Sequence, residues 1–127
     1  MEKAKELESL GVHILAIKDM AGLLKPYAAQ KLVETLKSEL HIPIHLHTHN
    51  TAGTGDMVNL MACQAGVDIV DCALSPLANG TSQPATESLV ATLQGSDRDT
   101  RAGPCQAERG CHALPQGRRQ AEEGRLP

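Results

Sequence analysis

The sequence is almost without aromatic residues: its 127 residues include no Phe, no Trp and a single tyrosine, Tyr27. Aromatic side chains normally supply much of the buried area of a core, so a self-sufficient domain of this size is not expected. Uninterrupted apolar runs stay well below the roughly 18 residues of a membrane span. The net charge of −3 offers no basic surface to nucleic acid or anionic lipid. We expect a cytoplasmic protein that binds no nucleic acid and does not insert into membranes.

The composition changes abruptly near residue 95. All six lysines lie within the first 37 residues, and all six arginines lie beyond residue 97. Residues 96–127 contain no Ile, Val, Met or aromatic residue, so they cannot bury enough apolar surface to offset the entropy of ordering them. We predict a folded part at 1–95 and a disordered tail at 96–127. Two origins of the tail stay open, a frameshift near residue 100 and a natural flexible extension.

The first 95 residues show three strand-helix units. Apolar runs predict strands at 12–17, 43–49 and 67–74, and apolar residues at helical spacing predict helices at 26–40, 54–65 and 83–94, with a short helix at 2–10 before the first strand. Because each connection between strands contains one helix, the strands must be parallel.

Two architectures satisfy this pattern, an open doubly wound sheet and a (β/α)₈ barrel. The Gly-rich phosphate-binding turn of nucleotide-binding open sheets is absent. Polar residues cluster instead at the C-terminal ends of all three strands, where barrel enzymes keep their active sites. We therefore predict an α/β fold, a fragment of a (β/α)₈ TIM barrel with about three consecutive strand-helix units. A whole barrel takes roughly 250 residues, so the chain would supply less than half of one.

Three histidines alternate along the second predicted strand. His45, His47 and His49 should point to one face, because alternate residues of a strand do so. His47 and His49 lie nearest the C-terminal end, where a pair of imidazoles could hold Zn²⁺, Co²⁺ or Mn²⁺ and leave positions for water or substrate. On spacing alone, a run of hydrogen-bonded polar residues at the barrel mouth remains the alternative.

Lys18 stands at the end of an apolar strand, where we expect it to be buried. Burial disfavours the charged ammonium, and a neutral amine can act as a nucleophile, a base or a site of modification. Reaction with CO₂ would give a carbamate whose oxygen ligates a cation. The alternative is a salt bridge to Asp19 or to a neighbouring strand.

The third strand is followed by a polar loop. Thr81 and Gln83 offer a hydroxyl and an amide that could orient a carboxylate or carbonyl group of a substrate, and Ser82 is predicted to cap the next helix. Cys72 has no evident partner base, which argues against thiol catalysis. His13 and His41 are expected to be ordinary packing or surface residues.

Four ordered motifs resemble the carboxyltransferase domain of biotin-dependent enzymes, the group that includes pyruvate carboxylase, the oxaloacetate decarboxylase alpha subunit and transcarboxylase. The motifs are Lys18-Asp-Met-Ala-Gly-Leu-Leu-Lys-Pro26, Pro43-Ile-His-Leu-His-Thr-His-Asn-Thr-Ala-Gly53, Gly66-Val-Asp-Ile-Val-Asp71 and Thr81-Ser-Gln-Pro84. The resemblance spans about residues 8–95.

The resemblance implies that Lys18 is a carbamylated metal ligand and that His47 and His49 are the histidine ligands. Members of the group usually have Asp where Asn50 stands. A fourth ligand, an aspartate on the first barrel strand, belongs to a segment that this sequence does not contain.

By this resemblance, the full-length protein moves a carboxyl group between biotin, carried on another domain or subunit, and pyruvate or oxaloacetate. A divalent metal stabilises the enolate, and the remainder of the barrel and a homo-oligomer are expected partners. Two alternatives stay open: a catalytically inactive truncated remnant or assembly piece, and a lyase or synthase of the same metal-dependent barrel superfamily.

Overall fold

A computed structural model describes residues 1–101, so most of the predicted tail lies outside the described residues. The elements are α1 (Glu2–Ser9), β1 (Leu15–Asp19), α2 (Pro26–Glu39), β2 (Ile44–Thr48), α3 (Gly55–Gln64), β3 (Ile69–Val70), a 3₁₀ turn at Ser75–Leu77 and α4 (Thr86–Leu93). The strands form one parallel sheet in the order β1-β2-β3. The three parallel strand-helix units are therefore confirmed.

Helices cover one face of the sheet, and the opposite face is open in the described residues. On the covered face, Ile44 and Leu46 of β2 are fully buried, and they belong to one core cluster with α2, α3 and α4. The cluster includes Val33, Leu36, Val58, Ala62, Leu89 and Leu93. The alternate residues of β2, His45 and His47, are half-buried on the other face, as the predicted alternation requires.

β1 begins three residues later than the apolar run predicts. Gly11 adopts a left-handed φ of +85°, and the Val12 N–H donates to the Leu7 carbonyl (3.3 Å). These contacts close the end of α1 before the chain can reach the sheet. The first bond to the sheet follows at Leu15, whose N–H donates to the Pro43 carbonyl (3.0 Å).

β3 has two residues instead of the predicted eight, and α4 begins at Thr86 instead of 83. The two differences have one cause. Ala73 and Ala85 form an isolated parallel bridge, in which Ala73 N–H donates to the Pro84 carbonyl (2.9 Å) and Thr86 N–H donates to the Ala73 carbonyl (2.9 Å). Backbone groups that could extend β3 or α4 are therefore hydrogen-bonded to one another instead.

The described residues beyond 95 contact the folded part. Ser96 N–H donates to the Leu93 carbonyl (3.0 Å), and Arg98 Nε donates to the Cys63 carbonyl (2.9 Å). The domain boundary at 95 stays a prediction. Within residues 1–101, no helix has both the length and the apolar character needed to cross a bilayer.

Candidate metal centre

The ends of the three strands bring polar side chains together on the open face. β1 and β2 pair in register so that Lys18 lies beside His47, and in-register neighbours project from the same face. Lys18 is exposed, so the expectation that it is buried is wrong for the described residues. The reason is its position on an edge strand of the described sheet, on the face that no helix covers.

Asp71, which directly follows β3, binds two of the three histidines. Its Oδ2 accepts a hydrogen bond from His47 Nδ1 (2.7 Å), and its Oδ1 accepts one from His45 Nε2 (2.8 Å). Burial raises the pKa of Asp71, but the hydrogen bonds from His47 and His45 outweigh this effect and hold the pKa below its usual value. Asp71 is therefore a carboxylate at neutral pH, and it places the proton of the neutral His47 ring on Nδ1.

His49 is fixed in the same tautomer by a different acceptor. Its Nδ1 lies 2.5 Å from the backbone carbonyl oxygen of Thr81, which can only accept a hydrogen bond. In the neutral rings, the Nε2 atoms of both His47 and His49 are thus left with lone pairs. These two atoms are 3.1 Å apart, so their lone pairs repel unless a cation or a hydrogen-bond donor lies beside both.

This histidine pair fits a transition metal ion. Two nitrogens that each lie about 2.0–2.1 Å from a tetrahedral zinc ion are about 3.3–3.4 Å apart, close to the distance between the Nε2 atoms. Metal-binding histidines usually donate their second ring N–H to a carboxylate or a backbone carbonyl, as both rings do here. Within residues 1–101, no three His, Cys, Asp or Glu side chains are grouped to hold a metal. Lys18 is the neighbour of His47 on the same face of the sheet.

Gln83 lies against the pair. Its Nε2 is 3.2 Å from His49 Nε2 and 3.5 Å from His47 Nε2, so the amide N–H groups face both lone pairs. The Ser82 hydroxyl is 3.3 Å from Gln83 Oε1, to which it donates. Gln83 thus lies at the histidine site.

The other loop residues differ from the sequence expectation in detail. The Thr81 backbone carbonyl contacts His49, and the expectation that the Thr81 hydroxyl orients a substrate group stays a prediction. The predicted helix cap at Ser82 is wrong, because α4 starts after Ala85 and has no side-chain cap. The intervening backbone is used in the bridge to Ala73.

Asp19 organises the turn that follows β1. Its carboxylate accepts hydrogen bonds from the N–H groups of Leu23 (3.1 Å) and Leu24 (2.9 Å) and from the Thr48 hydroxyl (3.0 Å). Burial raises its pKa, but these hydrogen bonds, the one from Leu24 first, lower it by more. The Asp19 carbonyl also accepts from His49 N–H (3.1 Å), which ties the turn to the end of β2.

Cys72 is a poor candidate for catalysis. Burial above all raises the pKa of its thiol to about 11, so the thiolate is scarce at neutral pH. Its Sγ accepts a hydrogen bond from Asn59 Nδ2 (3.7 Å).

The role of Asp71 does not follow from the motifs that predict the metal ligands. The sequence pattern indicates this residue only as part of the polar end of the third strand. A signal is nevertheless present, because a metal-binding histidine needs an acceptor for its second N–H, and Asp71 lies at the carboxyl end of the strand next to His47.

Comparison with known proteins identifies relatives over most of the chain. The family model described as HMGL-like matches residues 1–107. Pyruvate carboxylase of Bacillus subtilis is 55% identical over 95 residues, which are 75% of this chain and 8% of that protein. Pyruvate carboxylase of Staphylococcus aureus is 55% identical over 98 residues, 77% of this chain and 8% of that protein. The human mitochondrial pyruvate carboxylase is 48% identical over 101 residues, 79% of this chain and 9% of that protein.

Solved structures agree with these relatives. The carboxyl transferase domain of Rhizobium etli pyruvate carboxylase, solved with pyruvate and biocytin, superposes with a TM-score of 0.85 at 47% identity. The match covers 87% of this chain and 19% of that one. The chain thus spans less than a fifth of the length of these relatives, and its three units correspond to part of the carboxyltransferase barrel, which confirms the predicted fold class.

Proposed function

The chain belongs to the HMGL-like family, and from this membership we propose that it forms the metal-binding part of a biotin-dependent carboxyltransferase barrel. In the complete barrel, the reaction moves a carboxyl group between biotin and pyruvate or oxaloacetate. One observation carries the proposal: the lone pairs of His47 Nε2 and His49 Nε2 converge at 3.1 Å while both Nδ1 atoms are engaged by acceptors.

His47, His49 and a carbamylated Lys18 are the proposed ligands of a divalent ion, Zn²⁺, Co²⁺ or Mn²⁺. Such an ion would supply positive charge that polarises a substrate carbonyl and stabilises an enolate. Asp71 and the Thr81 carbonyl hold the two rings in the required tautomer. Starting from the ammonium form, carbamylation releases one proton from Lys18 Nζ to solvent, forms a bond between the neutral nitrogen and the carbon of CO₂, and releases a second proton from the nitrogen to solvent. The exposure of Lys18 gives CO₂ access to it.

The proposed function also involves partners and a contact to the substrate. Biotin is expected on a separate carrier domain or subunit, and the remainder of the barrel and a homo-oligomer are the other proposed partners. Gln83, beside both histidines, is the proposed contact for a polar oxygen of the substrate, with the Thr81 segment next to it.

The first test is metal binding by the full 127-residue chain. Titration with Co²⁺, followed by its visible absorption, should give a bound species that His47→Ala and His49→Ala abolish. His45→Ala is the matched control, because the Nε2 of His45 is engaged by Asp71 and does not face the pair. Equal loss in all three variants, or no binding even when these residues stand in the complete barrel of the chimera below, would contradict the ligand assignment.

The second test concerns Lys18. Incubation with ¹³C-bicarbonate should give a carbamate resonance that Lys18→Arg removes and Lys25→Arg, a control in the following exposed loop, leaves in place. Absence of the resonance in the metal-loaded chain would favour the alternative, a lyase or synthase of the same superfamily.

Catalysis needs the whole barrel. Residues 8–95 can replace the matching segment of the Bacillus subtilis pyruvate carboxylase, and the chimera should decarboxylate oxaloacetate in a biotin-dependent assay. His47→Ala in the chimera should remove this activity. A folded, metal-loaded but inactive chimera would support the inactive remnant instead.

A further inference from the structure

A pair of asparagines connects the end of the histidine strand to the loop that contacts both histidines. Asn50 follows His49 directly, and its side chain is buried, with 9% of the residue exposed. Its Oδ1 accepts a hydrogen bond from the Gly55 N–H at the start of α3 (2.8 Å). Because Oδ1 is committed to this donor, Nδ2 points the other way, where it donates to Asn79 Oδ1 (2.9 Å).

Asn79 in turn holds the loop closed. Its N–H donates to the Gln83 carbonyl (2.8 Å), and its carbonyl accepts from the Ser82 N–H (2.9 Å). It adopts a left-handed φ of +67°, a conformation that Asn tolerates better than most side chains. The backbone of Asn50 adds a second link, since its N–H donates to the Ser82 carbonyl (2.7 Å).

Two residues of the loop that these bonds hold, residues 79–83, contact the histidine pair. The Thr81 carbonyl fixes the proton of His49 on Nδ1, and the Gln83 amide lies beside both Nε2 atoms. If the loop shifts, the Thr81 carbonyl no longer accepts a hydrogen bond from His49 Nδ1. The ring proton can then lie on Nε2, which in that tautomer cannot bind a metal ion.

We propose that Asn50 and Asn79 are positioning residues, whose side-chain hydrogen bond sets the loop at 79–83 against His49 and so prepares the histidine pair for a metal ion. This inference rests on the proposed function for the metal, but its effect on the tautomer of His49 does not depend on metal being bound.

The hydrogen-bond donors and acceptors of Asn50 and Asn79 predict which variants keep the link between the two side chains. In Asn50→Asp, the carboxylate still accepts from Gly55, and the Asn79 amide can rotate to donate to it. In Asn79→Asp, the carboxylate still accepts from Asn50. In the double variant, which combines Asn50→Asp and Asn79→Asp, neither side chain can donate and the two carboxylates repel each other, so the hydrogen bond between them is lost.

The first measurement is Co²⁺ affinity of the full chain and these variants. The single variants should bind about as tightly as the unmodified chain, and the double variant at least about tenfold more weakly. If the added negative charge alone changed the Co²⁺ affinity, the double variant would bind more tightly, because each added carboxylate attracts the cation. Binding by the double variant as tight as, or tighter than, the single variants would overturn the proposal.

The second measurement is the tautomer of His49 in long-range ¹H–¹⁵N spectra of the metal-free chain. The unmodified chain should show the Nδ1–H form, and the double variant should show a mixture with Nε2–H. Should the double variant not fold, Asn79→Gly takes its place. Glycine accepts the positive φ without strain and removes only the side-chain acceptor, so Asn79→Gly should shift the tautomer while Asn79→Asp restores it.

The two proposals fail differently. If neither the unmodified chain nor the chimera binds Co²⁺ but Asn79→Gly shifts the His49 tautomer, the metal function is wrong and the positioning role stands. If Co²⁺ binds and neither the tautomer nor the affinity responds to Asn79→Gly, the positioning role is wrong.

Discussion

At the scale of single residues, the site depends on which ring nitrogen carries a proton. His45, His47 and His49 are the same residue type at a spacing of two, yet only His47 and His49 turn their Nε2 atoms toward one another. The difference lies in which ring nitrogen donates: Asp71 accepts a hydrogen bond from Nδ1 of His47 but from Nε2 of His45. Replacing an acceptor should therefore matter almost as much as replacing a ligand.

Asp71→Asn tests this point. The amide can accept from one histidine only, and it no longer carries the charge that holds the proton on His47 Nδ1, so we expect Co²⁺ affinity about 10- to 100-fold weaker than in the unmodified chain. His45→Ala, which removes the other bond to Asp71, should weaken binding much less. An unchanged affinity in Asp71→Asn would show that the His47 tautomer does not limit binding.

The sequence predicted the histidines better than their partners. The period of two along β2 places His45, His47 and His49 on one face from the sequence alone. The contact between Asp71 and these rings depends on where β3 ends, and the apolar run concealed that point by continuing to Leu74. β3 ends at Val70, and the chain instead forms the bridge between Ala73 and Ala85, a contact between residues separated in sequence that has no local pattern.

At the scale of elements, the turn after β1 is built around Gly22. This glycine has a φ of +64°, and a Cβ on it would lie 2.5 Å from the His49 carbonyl oxygen, a backbone atom at the end of β2. The close approach of the turn to β2 therefore requires a residue without a side chain.

Gly22→Ala should destabilise the chain by about 2–4 kcal/mol, from backbone strain together with the steric clash. Gly11→Ala is the control, since Gly11 has a φ of +85° but open space around its Cβ position, and it should cost only about 1–2 kcal/mol. Urea unfolding of both variants measures the difference. An equal decrease in the free energy of unfolding in both variants would mean that the close approach of Gly22 to His49 does not add to the cost of the substitution.

Asp68 joins three elements at the opposite end of the sheet. Its carboxylate binds Lys37 Nζ of α2 (2.8 and 2.9 Å) and the Ile44 N–H of β2 (2.8 Å), just before β3. Burial raises the pKa of Asp68, but the hydrogen bonds from Lys37 and Ile44 lower it by more. A pKa that is depressed in the folded state adds stability above the ordinary Asp value, and this stability is lost as the pH falls through the folded value.

Asp68→Asn should therefore lower the free energy of unfolding by about 1 kcal/mol at pH 7, because the amide oxygen can still accept from the Ile44 N–H but the charge that strengthens this bond and pairs with the partly solvated Lys37 is lost. The difference from the unmodified chain should shrink as the pH is lowered and Asp68 is protonated. Glu6→Gln, in an exposed pair with Lys3, is the control with no expected effect. A pH-independent difference would contradict the role of the charge.

At the scale of the whole molecule, the described residues form a sheet with helices on one face only. The apolar periodicity predicted the units and their parallel order, since both follow from local patterns and connection length. The exposure of Lys18 was not predicted, because a buried strand and an edge strand of a barrel segment have the same apolar sequence. Several large apolar side chains of the described residues are exposed, among them Ile14, Met20, Leu23 and Ile69.

These surfaces predict self-association of the chain. Open strand edges pair with other chains, and Ile69, in register with His45, adds apolar surface on the open face at the β3 edge, with 39% of the residue exposed. Sedimentation velocity from about 1 µM to about 1 mM should show concentration-dependent species. Ile69→Lys should reduce this association, because a charge at the edge opposes pairing, whereas Leu77→Lys, at a similarly exposed residue outside the strands, should leave it unchanged. A chain that stays monomeric over this range would show that the open edge does not drive association.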